Sequence, residues 1–236
     1  MAPDSGAEHV SHVQEIFDGW ARAGKANRMA DSHALSARTA FEKLELQEGS
    51  SYLDIGCGNG YTVRWAAETS LHGRCVGVDI AGEMIALARN SSLSHSNTTF
   101  CSGVFPGCQF EDESFDAVFS MEVFYYLSDV SAGIREVKRL LKPGGRFACV
   151  VDYYGENTAS HSWPQEVGVD MTLLNSSEWR SMMIEAGLVV LEQERIKGDS
   201  ESDVASEPGH HNDSWKFTEG SLFTLAQKPI GPHDAA

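Results

Sequence analysis

The stretch Leu53-Asp54-Ile55-Gly56-Cys57-Gly58-Asn59-Gly60 constrains this chain more than any other. Three alternate glycines follow a short apolar run and precede a helical pattern from Tyr61 to Thr69. Glycine lets a chain turn sharply and brings backbone N–H groups close to a ligand. In an open α/β sheet, a turn at the carboxyl end of the first strand lies where ligands bind. A tight strand–helix turn without a ligand is the plainer reading, and three alternate glycines speak against it.

The segments around this turn alternate between strand and helix patterns. Tyr52 to Ile55, Arg74 to Asp79, Thr98 to Gly103, Asp116 to Ser120 and Arg146 to Tyr153 read as strands. Glu83 to Arg89 and Asp129 to Leu141 read as helices, and Lys142-Pro143-Gly144-Gly145 is expected to stop the second. Asn175-Ser176-Ser177-Glu178 has the form of a capping box opening a helix with Trp179, Met182, Met183 and Ala186 on one side. Val189 to Ile196 and Ser221 to Gln227 are the last strands. No helix separates them, so an antiparallel edge hairpin is expected. The alternation predicts a mostly parallel sheet covered on both faces. Upstream, residues 1–12 are polar and expected to fray. A helical pattern runs from Val13 to about Leu46, broken around Gly24 to Asn27.

Two carboxylates sharpen the reading of the glycine turn. Asp54 stands two residues before Gly56, a poor position for a diphosphate and a good one for a cation. A dinucleotide fingerprint also needs a glycine at its sixth position, where this chain has Tyr61. A ligand bearing an ammonium group is therefore favoured. Asp79 ends the second strand, where a carboxylate can take both hydroxyls of a ribose. The alternative is that Asp79 caps the next helix, but the position favours the ribose. Ile80 and Met84 could sandwich an adenine or belong to the core.

These residues resemble the class I S-adenosylmethionine-dependent methyltransferases, particularly the small-molecule type. The glycine loop matches their first motif, and Val76-Gly77-Val78-Asp79-Ile80 with Met84 the second. Phe115-Asp116-Ala117-Val118-Phe119-Ser120 and Leu140-Leu141-Lys142-Pro143-Gly144-Gly145-Arg146-Phe147 match later ones, in order. The resemblance covers roughly residues 45–190. It implies a Rossmann-like seven-stranded sheet, mostly parallel with an antiparallel last strand, helices on both faces and an N-terminal helical lid. It divides the chain into a cap, 1–46, and a cofactor-binding domain, 47–236, with an insertion at about 155–174 and a long loop at about 197–214. It implies that Gly56, Gly58 and Gly60 line the methionine part of S-adenosylmethionine, with Asp54 near its amino group, Asp79 on its ribose, and Cys57 and Asn59 of the same loop also cofactor-binding. Many relatives carry an Asp after the third-strand glycine to bind the adenine amino group. Here Gly103-Val104-Phe105 stands instead, so adenine falls to the Val104 backbone and Phe105 stacking.

The reaction this implies is an in-line displacement at the sulfonium methyl, with no catalytic base assigned. Ser120, Met121 and Glu122 follow the fourth strand and are expected beside the methyl. Substrate candidates are Trp20, Arg28, Tyr125, Tyr126, Tyr153 and His210. For Arg28 and the His210-His211 pair, plain surface exposure is the competing reading. For the tyrosines it is helix–sheet packing. No His/Cys/Asp spacing suggests a metal site. A nicotinamide-dependent oxidoreductase and a non-catalytic S-adenosylmethionine-binding protein are the rival functions.

Charge bounds the partners. Asp and Glu number 34 against 18 Lys and Arg, a net charge of −16 over 236 residues. Such a surface repels nucleic acid and anionic lipid, so a small-molecule substrate is expected. The acidity fits plain solubility or a salty host cytoplasm. No secretory signal or membrane-spanning run is visible, and five scattered cysteines read as reduced thiols. The expected location is cytoplasmic.

Overall fold

The computed structural model describes residues 5–198 and 215–231. Two helices come first, α1 (Ser5–Arg22) and α2 (Lys25–Glu42), separated by Gly24 in a left-handed conformation at φ 71°. The break falls where the sequence placed it. The helix before it does not start at Val13: residues 5–12 are helical. Tertiary contacts hold this polar end in place. The His9 ring donates to the Tyr126 carbonyl at 2.8 Å, and the His12 ring to the Gly168 carbonyl at 2.8 Å.

Alternating strands and helices follow: β1 (Tyr52–Ile55), α3 (Tyr61–Thr69), β2 (Cys75–Asp79), α4 (Gly82–Ser91), β3 (Thr98–Ser102), β4 (Phe115–Met121), α5 (Val130–Leu140) and β5 (Leu141–Val151). The chain continues with α6 (Trp163–Val167), α7 (Ser176–Glu185), β6 (Val189–Ile196), α8 (Trp215–Thr218) and β7 (Ser221–Gln227). The seven strands lie in the order β3-β2-β1-β4-β5-β7-β6. All neighbours pair in parallel except β7, which runs antiparallel to both β5 and β6. β7 is therefore an interior strand and β6 the edge, and short α8 precedes β7. The expected antiparallel edge hairpin of β6 and β7 is present, but short α8 stands between its strands, where no helix was expected. β7 is buried along nearly its whole length, whereas β6 carries Glu192, Glu194 and Arg195 toward water.

Side chains alternate between two cores, because successive residues of a strand point to opposite faces. Leu53, Ile55, Val118, Phe147 and Cys149 join α5 and α7 residues such as Ile134, Val137, Trp179 and Met183. Tyr52, Ala117, Phe119, Ala148 and Val150 join Ala37, Phe41, Val63 and Ala66 from α2 and α3. Burial on both faces explains why the strands read as continuous apolar runs. The Asn175 capping box is present in full, with its side chain accepting from the Glu178 N–H. The Lys142-Pro143-Gly144-Gly145 stretch is not a free stop. It lies within β5, where the register shifts between Phe115 and Ala117 of β4, and Lys142 pairs with Asp116 at 2.7 Å.

The strand order reverses beside β1. From there the chain builds outward through β2 and β3, then returns to β4 on the other side. A crevice forms at the carboxyl ends of β1 and β4 at such a switch point. No helix among the described residues is long and apolar enough to cross a membrane. Residues 199–214, with the expected His210 and His211, lie outside the described residues.

Candidate active site

A cavity of about 300 Å³ opens at this switch point. The turn after β1 forms its floor. Gly56, Gly58 and Gly60 adopt φ of 73°, 51° and 77°, a region that side chains rarely occupy. The Gly56 and Cys57 N–H groups donate back to the Val78 carbonyl at 2.7 and 3.0 Å, fixing the turn against β2. Asn59 ties it to the N-terminal helices, donating from Nδ2 to Asn27 Oδ1 at 2.9 Å.

Asp79 braces the turn from the next strand. Its Oδ2 accepts the Gly58 N–H and its Oδ1 the Ala81 N–H, each at 2.8 Å. It does not cap α4, whose N-cap is Ala81. Burial pushes its pKa up to about 6, against the pull of those two backbone bonds. Asp54 is 2% exposed, lines the same cavity and accepts the Thr62 hydroxyl. Burial raises its pKa to about 7; the Thr62 bond opposes this and the Asp79 charge adds to it. Two desolvated carboxylates flanking one glycine turn make a seat for a cationic, hydroxyl-bearing ligand. The donor set fits the ammonium and ribose of S-adenosylmethionine, and the positive-φ turn leaves room for its methionine tail.

The other predicted residues divide. Cys57, Ile80, Met84, Val104, Phe105, Met121, Glu122 and Tyr126 line the cavity. Ser120 does not: its hydroxyl donates to the Ile55 carbonyl at 3.1 Å, between β4 and β1. Tyr125 is turned into the protein, its OH donating to Glu122 Oε2 at 2.7 Å. Tyr153 is buried against Tyr125 and Trp163, with ring centroids 5.5 and 6.4 Å away. Trp20 packs on Phe17 at 5.0 Å and lies outside the cavity wall, and Arg28 is solvent-exposed. Helical periodicity explains the last: α2 turns Ala26, Met29, Ala30 and His33 to the cavity and Arg28 away.

The sequence reading missed the apolar wall that α1 and α2 supply through Val10, Val13, Phe17, Ala26, Met29 and Ala30. The i, i+3, i+7 spacing of Val10, Val13 and Phe17 and the i, i+3, i+4 spacing of Ala26, Met29 and Ala30 mark apolar faces but do not say what they face. It also missed His33, whose ring nitrogen stands 3.9 Å from a carboxylate oxygen of buried Asp152. Burial and the charge of Lys216 pull the His33 pKa down to about 3. Glu122 holds a non-glycine left-handed φ of 61° and accepts the Asp152 N–H and the Tyr125 hydroxyl. Burial and the neighbouring Asp152 charge raise its pKa well above the usual carboxylate range.

A family model described as a methyltransferase domain matches residues 53–149. The demethylmenaquinone methyltransferase of Tropheryma whipplei (strain Twist) is 30% identical over 144 residues, 59% of this chain and 58% of that protein. The ubiquinone/menaquinone biosynthesis C-methyltransferase UbiE of Hahella chejuensis is 32% identical over 148 residues, 59% of each. The chain thus spans less than two thirds of the length of these relatives. A solved chain from the complex of the Haloferax volcanii Trm112 methyltransferase activator with a candidate methyltransferase is 34% identical. That match covers 90% of this chain and 97% of the other, with a TM-score of 0.82. With this fold, the braced glycine turn and a relative matched over nearly its whole length, the chain belongs to the class I S-adenosylmethionine-dependent methyltransferases.

Proposed function

We propose that the protein transfers the methyl group of S-adenosylmethionine to a small, largely apolar acceptor, with residues 1–46 as a lid over the 47–236 domain. The observation that carries this reading is the pairing of two buried carboxylates, Asp54 and Asp79, around one positive-φ glycine turn, opposite an apolar wall. When bound, the cofactor supplies a sulfonium methyl that departs from sulfur to a nucleophile in line. The chain's own work is to align and to exclude water, where orientation can contribute on the order of 7–11 kcal/mol. Asp54 accepts the ammonium and Asp79 the ribose hydroxyls. Ile80, Met84 and Phe105 sandwich the adenine. The wall from α1 and α2 keeps water from the vanishing sulfonium charge.

The test is transfer of labelled methyl from S-adenosylmethionine to a panel of apolar acceptors, including demethylmenaquinone, the compound in the Tropheryma relative's name, in oxidised and reduced form. Label in the organic extract is expected. Cofactor binding without transfer to any of the panel or to a metabolite extract would favour a non-catalytic binding protein. NADH titration is expected to leave the protein's fluorescence unchanged, because neither Asp54 nor Tyr61 suits a diphosphate. The Haloferax match adds a candidate partner, an activator protein of the kind that chain was solved with. Co-expression that changed neither yield nor cofactor affinity would remove it.

Proton linkage gives a quantitative check. The free protein holds protons on Asp54 and Asp79 up to about pH 7 and 6, and a cationic ligand favours their ionised forms. Binding therefore releases protons. The Kd for S-adenosylhomocysteine should rise as pH falls through 7, by about tenfold per unit near pH 6. These two groups also stabilise the free fold only at low pH, losing that contribution as pH rises through about 6–7. The ligand-induced rise in Tm should accordingly be larger at pH 8 than at pH 5.5. Calorimetry in two buffers of different ionisation heat reads the proton release directly, and a Kd flat from pH 5.5 to 8 would contradict the assignment.

A further inference from the structure

Three metal-ligand side chains meet at the edge of the cavity, and the cofactor seat does not account for them. His33 comes from α2, Glu122 from just after β4 and Asp152 from just after β5. One ligand atom from each lies within 4.8 Å of the others. We propose that His33, Glu122 and Asp152 form a site for a first-row divalent cation, which takes an oxygen of the methyl acceptor as a further ligand.

Geometry separates this from a proton relay. His33 and Asp152 stand 3.9 Å apart, too far for a hydrogen bond. Ligand atoms sharing one tetrahedral ion at about 2.0–2.2 Å lie roughly 3.3–3.6 Å apart, so the trio, within 4.8 Å of one another, closes on a cation with side-chain shifts on the order of an ångström. The remaining bonds aim the carboxylates. Glu122 accepts the Tyr125 hydroxyl at 2.7 Å on one oxygen and the Asp152 N–H on the other. A carboxylate oxygen has two lone pairs, so each keeps one for a metal. Hydrogen bonds of this kind orient ligands at metal sites.

Charge and chemistry agree. Two carboxylates side by side, Asp152 buried and Glu122 half-buried, repel, and a divalent ion offsets both. The groups facing them are the phenols of Tyr61, Tyr125 and Tyr126, the His33 ring and the Lys216 ammonium. One nitrogen and two carboxylates suit manganese, iron or zinc rather than calcium. His33 and Glu122 border the cavity, so open coordination positions face it.

The acceptor role rests on the proposed methyl transfer. A hydroxyl bound to the ion ionises more readily, its proton passing to solvent water. The acceptor then attacks the methyl carbon through oxygen or a conjugated carbon. The carbon–sulfur bond breaks, and its electron pair stays on sulfur.

The test uses the full chain stripped with a chelator, then titrated with Zn²⁺ by calorimetry and with Mn²⁺ by electron paramagnetic resonance. One ion per chain is expected, weakened at least 100-fold in His33→Ala and in Asp152→Asn. Retained thermal unfolding in each variant shows that it has folded, and the milder His33→Gln covers failure of the alanine variant. Absence of saturable binding in wild-type protein that still binds S-adenosylhomocysteine would overturn the site and leave the methyltransferase reading intact. Binding that survives both substitutions would place the ion elsewhere and overturn it equally. Metal bound without any cofactor affinity would retain the site and remove the methyl-transfer role.

Discussion

Asp79→Asn is expected to weaken S-adenosylhomocysteine binding by about 10- to 100-fold, from the loss of hydrogen bonds to a charged acceptor worth about 1.5–3 kcal/mol each. The aspartate accepts the Gly58 and Ala81 N–H groups, both at 2.8 Å, and under the proposed reading it would also take the two ribose hydroxyls. An amide has one acceptor oxygen, and its NH₂ faces N–H groups it cannot bond. Calorimetry against exposed Asp31→Asn measures the effect, and the control should stay within about twofold. Thermal unfolding of the free variants separates a displaced turn from a lost ligand contact. Equal affinities for the two variants would remove the ribose assignment.

Gly56→Ala should be the most damaging single methyl in the turn. The position has φ 73°, and an added Cβ would stand 2.1 Å from Val123 Cγ2. The backbone penalty is about 1–2 kcal/mol and the overpacking about 1–3 kcal/mol more. A fall in Tm of roughly 5–15 °C follows at about 2–4 °C per kcal/mol for a chain of this size. Cofactor binding should be lost with it, because Val123 adjoins Glu122 on the opposite wall. Gly58→Ala supplies the contrast. Its φ is 51°, yet nothing lies within 4 Å of its added Cβ. Only the backbone penalty applies, so it should unfold several degrees above Gly56→Ala. Val123→Ala in the Gly56→Ala background should recover part of the loss. Equal Tm values for the two glycine variants would show that the Val123 contact is unimportant.

Much of the frame was legible because its causes are local. β2 and β4 announce themselves as short, mostly apolar runs, since helices cover both faces. Asn175 and Glu178 mark the start of α7 because capping is settled within four residues. The glycine turn and its flanking aspartates were legible for the same reason: Asp54 is two residues from Gly56, and Asp79 ends the very next strand. The start of α1 was not. Residues 5–12 look too polar to hold a helix until His9 and His12 find carbonyls 117 and 156 residues away.

The substrate side divided along the same line. Tyr125 and Tyr126 are adjacent in sequence, yet the short 3₁₀ turn at Phe124–Tyr126 sends one to Glu122 and the other to the cavity. Arg28 and His33 share a helix, and only the docking of α2 decides which of them faces the cavity. Hydrophobic period, turn chemistry and short-range spacing belong to the sequence alone, and they determined the sheet, its coverings and the glycine turn. The tertiary structure decided that β7 lies inside the sheet, that two N-terminal helices wall the cavity, and that positions 33, 122 and 152 come together. Those outcomes depend on contacts between distant segments, whose energies arise only once the chain has closed on itself.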